Sequence, residues 1–328
     1  MRLTRRDFIA LAGAAAAASA APRAAAQAGW PDRPIRMVIG YTAGGAADQV
    51  ARILATRLEK LWGQSIVMDY RPGAGAALAA ELTSRAAPDG YTLHLTDSGP
   101  LTIGPNLRKV PYDPVAGFTP LAYVGGAGLA VLVHPSVPAN DLQGLVRLLK
   151  SNADKYSYST SGVGSPHHLA AELFKSQAGV EMTHVPYKGA AAAMADLLAG
   201  QIPISFATIG PAIPHVRAGK VRALAVTAAA RSLALPEVPT IAEQGLPGYD
   251  AKPWFVVVAP PNLPPALAER LQSGLRTAVT DPDVMAALQK LGTDTGGPAT
   301  PQQVTELIRA DLAKWGAIIK RANISVDS

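Results

Sequence analysis

Short β-rich runs alternate with stretches of helical periodicity along most of the chain, and glycine marks several of the turns between them, which restricts the fold to a layered α/β architecture. Residues 36–41 form a β-rich run. Val50, Ile53, Leu54, Leu58 and Leu61 then recur at helical spacing, Gly63 stops the helix, and 65–69 is the next strand. The same reading predicts helices over 76–85, 142–150, 166–178 and 190–199, and strands over 91–96, 156–160, 182–185, 202–206 and 221–226. Such βαβ succession makes the sheets largely parallel. Residues 254–259, an apolar run closed by Pro260 and Pro261, read as a strand buried on both faces. Helices over 265–279 and 282–291 follow. The last helix is announced by a capping box, Thr300 at N-cap with Pro301 at N1 and Gln303 at N3. Val304, Leu307, Ile308, Leu312, Trp315 and Ile319 share its buried face.

A chain of 328 residues has length for two such α/β domains. It contains no cysteine, which removes disulfides, thiolate metal sites and a cysteine nucleophile together. The N-terminus is a targeting segment: Arg2, Arg5 and Arg6 precede an apolar or small-residue stretch over 8–21. That stretch is too short for ~30 Å of hydrocarbon and reads as a signal peptide over 1–28, not as a membrane helix. Thr4 to Ile9 resembles the twin-arginine export signal, an ordinary secretory signal being the alternative, and cleavage is expected near Ala28, with Ala26 next. Loss of 1–28 removes four arginines and one aspartate, lowering the formal charge from +6 to +3. The remaining cations are scattered, without the basic stripe that nucleic acid requires. The mature protein is expected to be a soluble resident of the periplasm.

Three segments share one local plan, strand, glycine turn and helix: 41–48, 71–75 and 160–166. Such turns gather backbone N–H groups into an anion-binding concavity, to which the helix adds its free donors and positive dipole end. They are also common as plain βα connections. Asp48 is expected to cap its own loop or helix, and Ser165 with Pro166 to be the N-cap and N1 of the third helix. None of the turns completes G-x-G-x-x-G and no phosphate-binding G-x-x-x-x-G-K-[ST] occurs, so a carboxylate is the better anion than a nucleotide phosphate. There is no G-x-S-x-G, and Ser98 has no base placed beside it by sequence. His167 and His168 are adjacent and diverge by ~100° on a helix, so they cannot chelate one metal. No catalytic residue, metal or cofactor is assigned. Tyr187 and Lys188 stand at another helix start, with the Tyr187 hydroxyl open to ligand bonding or plain packing. Thr208 lies at the sheet edge where ligands of open α/β sheets collect.

Taken together, Trp30 to Arg36, Ala43-Gly44-Gly45 with Asp48, Arg71 to Gly75, Pro88 to Leu93, Gly164-Ser165-Pro166, His184 to Gly189, Ala218 to Thr227 and Leu235 to Thr240 resemble the periplasmic solute-binding proteins of tripartite tricarboxylate transporters, the Bug family. The resemblance implies a non-enzymatic, monomeric, two-lobed clamshell of the periplasmic-binding-protein type (type II-like), each lobe a mostly parallel sheet flanked by helices. Lobe I would comprise 29–132 plus 255–328, and lobe II 133–254. A small carboxylate, whether a di- or tricarboxylate, amino-acid-like or aromatic acid, would lie between them, held by amides and hydroxyls. Tyr41, Thr42, Ala43, Gly44 and Gly45 would form one jaw and Thr160, Ser161, Gly162, Gly164 and Ser165 the other, with Ser98, Tyr187 and Thr208 along the walls. The implied partners are two integral membrane transporter subunits. A sensor presenting the same ligand to a membrane receptor kinase is the alternative. Gly40-Tyr41-Thr42, Ala76-Ala77 (for a usual polar Gly-Asn) and Ala207-Thr208 depart from the family pattern, as does His167, where glycine is frequent, and together they point to a less polar acid.

Overall fold

The computed structural model describes residues 29–152, 155–297 and 300–325; the export signal expected over 1–28 lies outside them. The chain begins with β1 (Ile35–Ile39), α1 (Ala46–Trp62) and β2 (Ile66–Tyr70). Helix α1 ends at Gly63, whose φ of 69° is left-handed, and it buries Val50, Leu54 and Leu58 against the sheet. Next come α2 (Ala77–Ser84), β3 (Thr92–Asp97), a π-helical turn (Gly99–Ile103), α3 (Gly104–Leu107) and β4 (Thr119–Ala127). After Gly128 follow β5 (Leu129–Val133), α4 (Leu142–Ser151), β6 (Ser157–Thr160), α5 (Pro166–Ala178), β7 (Thr183–Pro186), α6 (Ala190–Leu198), β8 (Ile204–Thr208), α7 (Ile209–Arg217) and β9 (Arg222–Val226). The chain then returns through β10 (Trp254–Ala259), α8 (Pro265–Val279), α9 (Pro282–Lys290), β11 (Thr293–Asp294) and α10 (Pro301–Arg321).

Two sheets result, ordered β11-β4-β10-β3-β1-β2 and β7-β6-β8-β5-β9. Each has the expected parallel core, β3-β1-β2 in one and β7-β6-β8 in the other. Antiparallel strands extend both: β10, β4 and β11 in the first, β5 and β9 in the second. Apart from β11, they occur where the chain crosses between sheets, because β4 to β5 and β9 to β10 are joined without a helix to reverse the direction. The change of sheet falls at Gly128 and between Ala251 and Trp254. Ala251 donates to the Thr227 carbonyl, Thr227 to Leu129, and Ala127 to Pro253, so the two crossings are hydrogen-bonded side by side.

Strand β10 is buried along its whole length, as its apolar run requires. Helix α10 begins with the capping box of Thr300 and Gln303 and runs past both cores. Its Val304 and Ile308 pack with Trp254 and Val256 of the first sheet, whereas Trp315, Ile318 and Ile319 join Leu142, Leu145 and Phe174 beside the second. No helix among the described residues is long and apolar enough to cross a membrane.

Candidate functional site

In a parallel βαβ unit every strand delivers its following helix to the same sheet edge, so the helix N-termini collect there. Two such edges face each other in this fold. Helix α1 after β1, α5 after β6, α6 after β7 and α7 after β8 all begin at one cleft. Its inner cavity is lined by Gly45, Ala46 and Ala47 at the start of α1, Pro166 and His167 of α5, Ala190 of α6 and Thr208 ahead of α7. Tyr41, Asp97, Ser161 and Phe255 complete most of the wall, and no lysine or arginine is among the lining residues. The N-cap residues of α1, α6 and α7, Gly45, Gly189 and Thr208, make no side-chain capping bond, so no side chain caps the first-turn donors of these helices. Each helix adds about half a positive elementary charge at its N-terminus.

The inner cavity encloses about 20 Å³, room for about one water molecule. It shares Gly45, Ala190 and Thr208 with an outer groove of about 290 Å³ that runs past Gly44, Gln49, Met194 and His215. The jaws are in close contact. A Cβ on Gly75 would lie 2.6 Å from the Val163 carbonyl oxygen, and one on Gly189 would come within 3.1 Å of the Thr42 nitrogen and overlap its Oγ1.

His167 bridges the far wall: Nδ1 is 2.6 Å from Ser161 Oγ and Nε2 is 3.0 Å from Thr208 Oγ1. Burial lowers its pKa to about 4, so the ring is neutral at pH 7 and carries one N–H. Whichever nitrogen holds that hydrogen, one of the two hydroxyls donates to the ring and the other accepts, keeping its own hydrogen for another acceptor. Asp97, at the end of β3, is buried and accepts from the Gly99 N–H at 2.9 Å. Burial raises its pKa to about 6, opposed by the Tyr41 hydroxyl and the Gly99 amide. The Tyr41 hydroxyl lies close to that carboxylate but lacks the geometry of a hydrogen bond.

Of the thirteen residues expected at the ligand, Tyr41, Gly45, Ser161 and Thr208 line the inner cavity, and Gly44 the outer groove. The other eight line neither. The Gly44 N–H is taken by Asp48 at 2.9 Å, which fulfils the expected capping role of Asp48. Thr42 packs on Gly189, and Ala43 is exposed. Thr160 is buried, bonding His184 and the Gly162 amide. The Gly164 amide donates to His168 Nδ1, and the Ser165 hydroxyl accepts from the His168 amide as the expected cap. Ser98 is buried with its carbonyl bonded by Thr102, and the Tyr187 hydroxyl donates to Asp196 on α6. Gly162 approaches the Tyr187 carbonyl. The sequence pattern does not single out Asp97, although it neighbours Ser98, and it marks His167 only as a departure from the family pattern.

Four histidines make stability acid-sensitive. Burial lowers His94, His167 and His168 to about 4 and His184 to about 3. In the unfolded chain imidazole titrates near ~6.5. As pH falls below ~6.5 the unfolded state therefore takes up protons first, and stability present above that pH is lost down to about 4. A fully buried ring contributes on the order of 3 kcal/mol to the stability lost across that range. Asp97, raised instead, works against it over pH 4–6. Thermal melts between pH 7.5 and 4.5 should show the midpoint falling by about 5 °C or more; a flat or rising profile would contradict burial of neutral rings.

The sequence profile described as "Tripartite tricarboxylate transporter family receptor" matches residues 50–324. BugT of Bordetella pertussis is 34% identical over 315 residues, covering 95% of this chain and 94% of that protein. Among solved structures, Rpa4515 of R. palustris with adipate aligns at TM-score 0.87 and 34% identity, over 90% of this chain and 99% of that one. MatC from Rhodopseudomonas palustris with bound malate aligns at TM-score 0.85 and 30% identity, over 88% and 100%.

Proposed function

The chain belongs to the tripartite tricarboxylate transporter receptor family, and we propose that it captures a small carboxylate between its lobes and delivers it to integral membrane transporter subunits. Receptors of this family bind their solutes and do not transform them, and they are periplasmic binding proteins. The observation that carries the ligand class is the convergence of four helix N-termini on one cavity with no lysine or arginine in its wall. An anion held there is stabilised by oriented N–H groups and dipoles in place of an ion pair. The spare hydroxyl hydrogen of the Ser161–His167–Thr208 chain supplies a further donor. Two relatives at 34% and 30% identity were solved with adipate and malate, both dicarboxylates.

On this reading Tyr41, Gly45, Ser161 and Thr208 meet the ligand directly. Thr42, Ala43, Gly44, Ser98, Thr160, Gly162, Gly164, Ser165 and Tyr187 shape the two jaws that close on it. The lobes divide at Gly128 and near Pro253, and the hydrogen-bonded crossings serve as the hinge. An inner cavity of about 20 Å³ is smaller than any dicarboxylate, so the lobes part to admit the ligand. The mature protein begins at Gly29 and acts as a monomer.

A thermal-shift screen of mono-, di-, tri- and aromatic carboxylates tests this on protein exported by its own signal, its intact mass checking the cut after Ala28. A ligand at ~100 Kd adds ~2.7 kcal/mol to stability. Sugars or amines raising the melting temperature while every carboxylic acid fails would remove the carboxylate assignment.

A further inference from the structure

Asp97 is a carboxylate placed where an anion is to be bound. It is 4% exposed, lines the inner cavity, and forms no salt bridge among the described residues. One of its oxygens accepts the Gly99 amide. The rest of the polar wall is made of donors or of groups already paired, His167 with Ser161 and Thr208 in particular. A second anion in this small, water-poor space is repelled by Asp97 unless something between the two carries a hydrogen. The helix N-termini already provide for a carboxylate, and Asp97 provides an acceptor that, among the described residues, is bonded by the Gly99 amide and has only the nearby Tyr41 hydroxyl as a further donor.

We infer that Asp97 determines specificity, and that the cleft selects acids bearing an O–H or N–H donor, a hydroxyl or ammonium group, which Asp97 accepts while the ligand carboxylate lies on the helix N-termini. The inference rests on the carboxylate reading above. Plain aliphatic acids present only methylene or a second anion to Asp97 and are excluded by it. The groups facing Asp97 across the cavity are Tyr41 at the end of β1 and His167 of α5, with apolar Phe255 beside it on β10. Between pH 6 and 8 Tyr41 stays protonated and His167 neutral, so Asp97 is the group that titrates there. Once protonated, Asp97 becomes a donor and accepts the plain acid as a partner.

The test is titration calorimetry of the mature protein with unbranched three- to six-carbon mono- and dicarboxylates, each as the unsubstituted acid, its 2-hydroxy and its 2-amino derivative. At pH 8 the wild type should prefer a substituted member at least tenfold over its parent, with the hydroxy and amino arms identifying which donor is used. Asp97→Asn, which retains an oxygen for the Gly99 amide and adds an N–H donor, should reduce that preference to under threefold, mainly by tighter binding of the parent. In the wild type alone, lowering the pH from 8 to 6 should tighten the parent severalfold and leave the substituted acid nearly unchanged, so the proposal stays testable if the variant folds poorly. Equal affinity for parent and substituted acids at pH 8, or selectivity unaltered in a folded Asp97→Asn protein, overturns the role of Asp97. Failure of every acid in all arms overturns the carboxylate reading instead.

Discussion

Gly189→Ala should weaken ligand binding at least about tenfold, a loss of about 1.4 kcal/mol, while the unliganded protein melts within about 2 °C of the wild type. Gly189 has φ 170°, extended backbone that alanine adopts freely, so the substitution introduces no strain within its own loop. The obstacle lies across the cleft, where the new methyl group would overlap Thr42 Oγ1. Open jaws accommodate the methyl and closed jaws do not, so the cost of about 1–3 kcal/mol for an overpacked contact falls on the closed, ligand-holding state. Calorimetry of Gly189→Ala and of Gly189→Ala with Thr42→Gly checks the mechanism, since removal of the Thr42 side chain should restore most of the affinity. Undiminished binding in the single variant would show that capture does not need this contact. Gly75 and Gly164 are poorer probes. Their φ values of 58° and 78° are left-handed, so a side chain there perturbs its own loop as well as the jaw opposite.

The largest stability effect is expected at Trp315→Ala, with about 3–5 kcal/mol lost and a melting temperature lower by about 10 °C. Trp315 is 4% exposed and joins the core beside the second sheet, although its helix is anchored on the first by Val304 and Ile308. Truncation leaves a cavity on one side of a helix pinned on the other, so the site cannot collapse to recover the lost contacts. Its exposed neighbour Lys314, paired with Asp250 at the surface, serves as the control, and Lys314→Ala should shift the midpoint by under about 1 °C. Circular dichroism melts of the two variants make the comparison. A Trp315→Ala midpoint within 2 °C of the wild type would mean that the C-terminal helix only drapes over the second lobe.

Features settled within a few residues of chain are legible in the sequence itself. The stop of α1 at Gly63, the capping box of Thr300 and Gln303, the Ser165 cap and the doubly buried run of β10 depend on local backbone preference and hydrophobic pattern, and each stands where the sequence places it. In β4, Gly125 and Gly126 interrupt the alternation, and β5, an apolar run like that of β10, has no place in the sequence reading. Gly125 is required by a contact distant in sequence, since a Cβ there would meet the Asp294 backbone. The glycine turns and their helices are likewise legible, and with them an anion-binding character, since donors at a helix N-terminus are a property of the segment itself. Which groups face the ligand is decided only by tertiary structure. The cavity takes Tyr41, Asp97, Ser161 with His167, and Thr208 from four separate segments brought to one edge by the strand order, and the same packing turns Thr160, Ser165 and Tyr187 to internal hydrogen bonds. A side chain's partners at that edge depend on which strands lie beside it, and strand order is set by the burial of two whole sheets, not by any single loop.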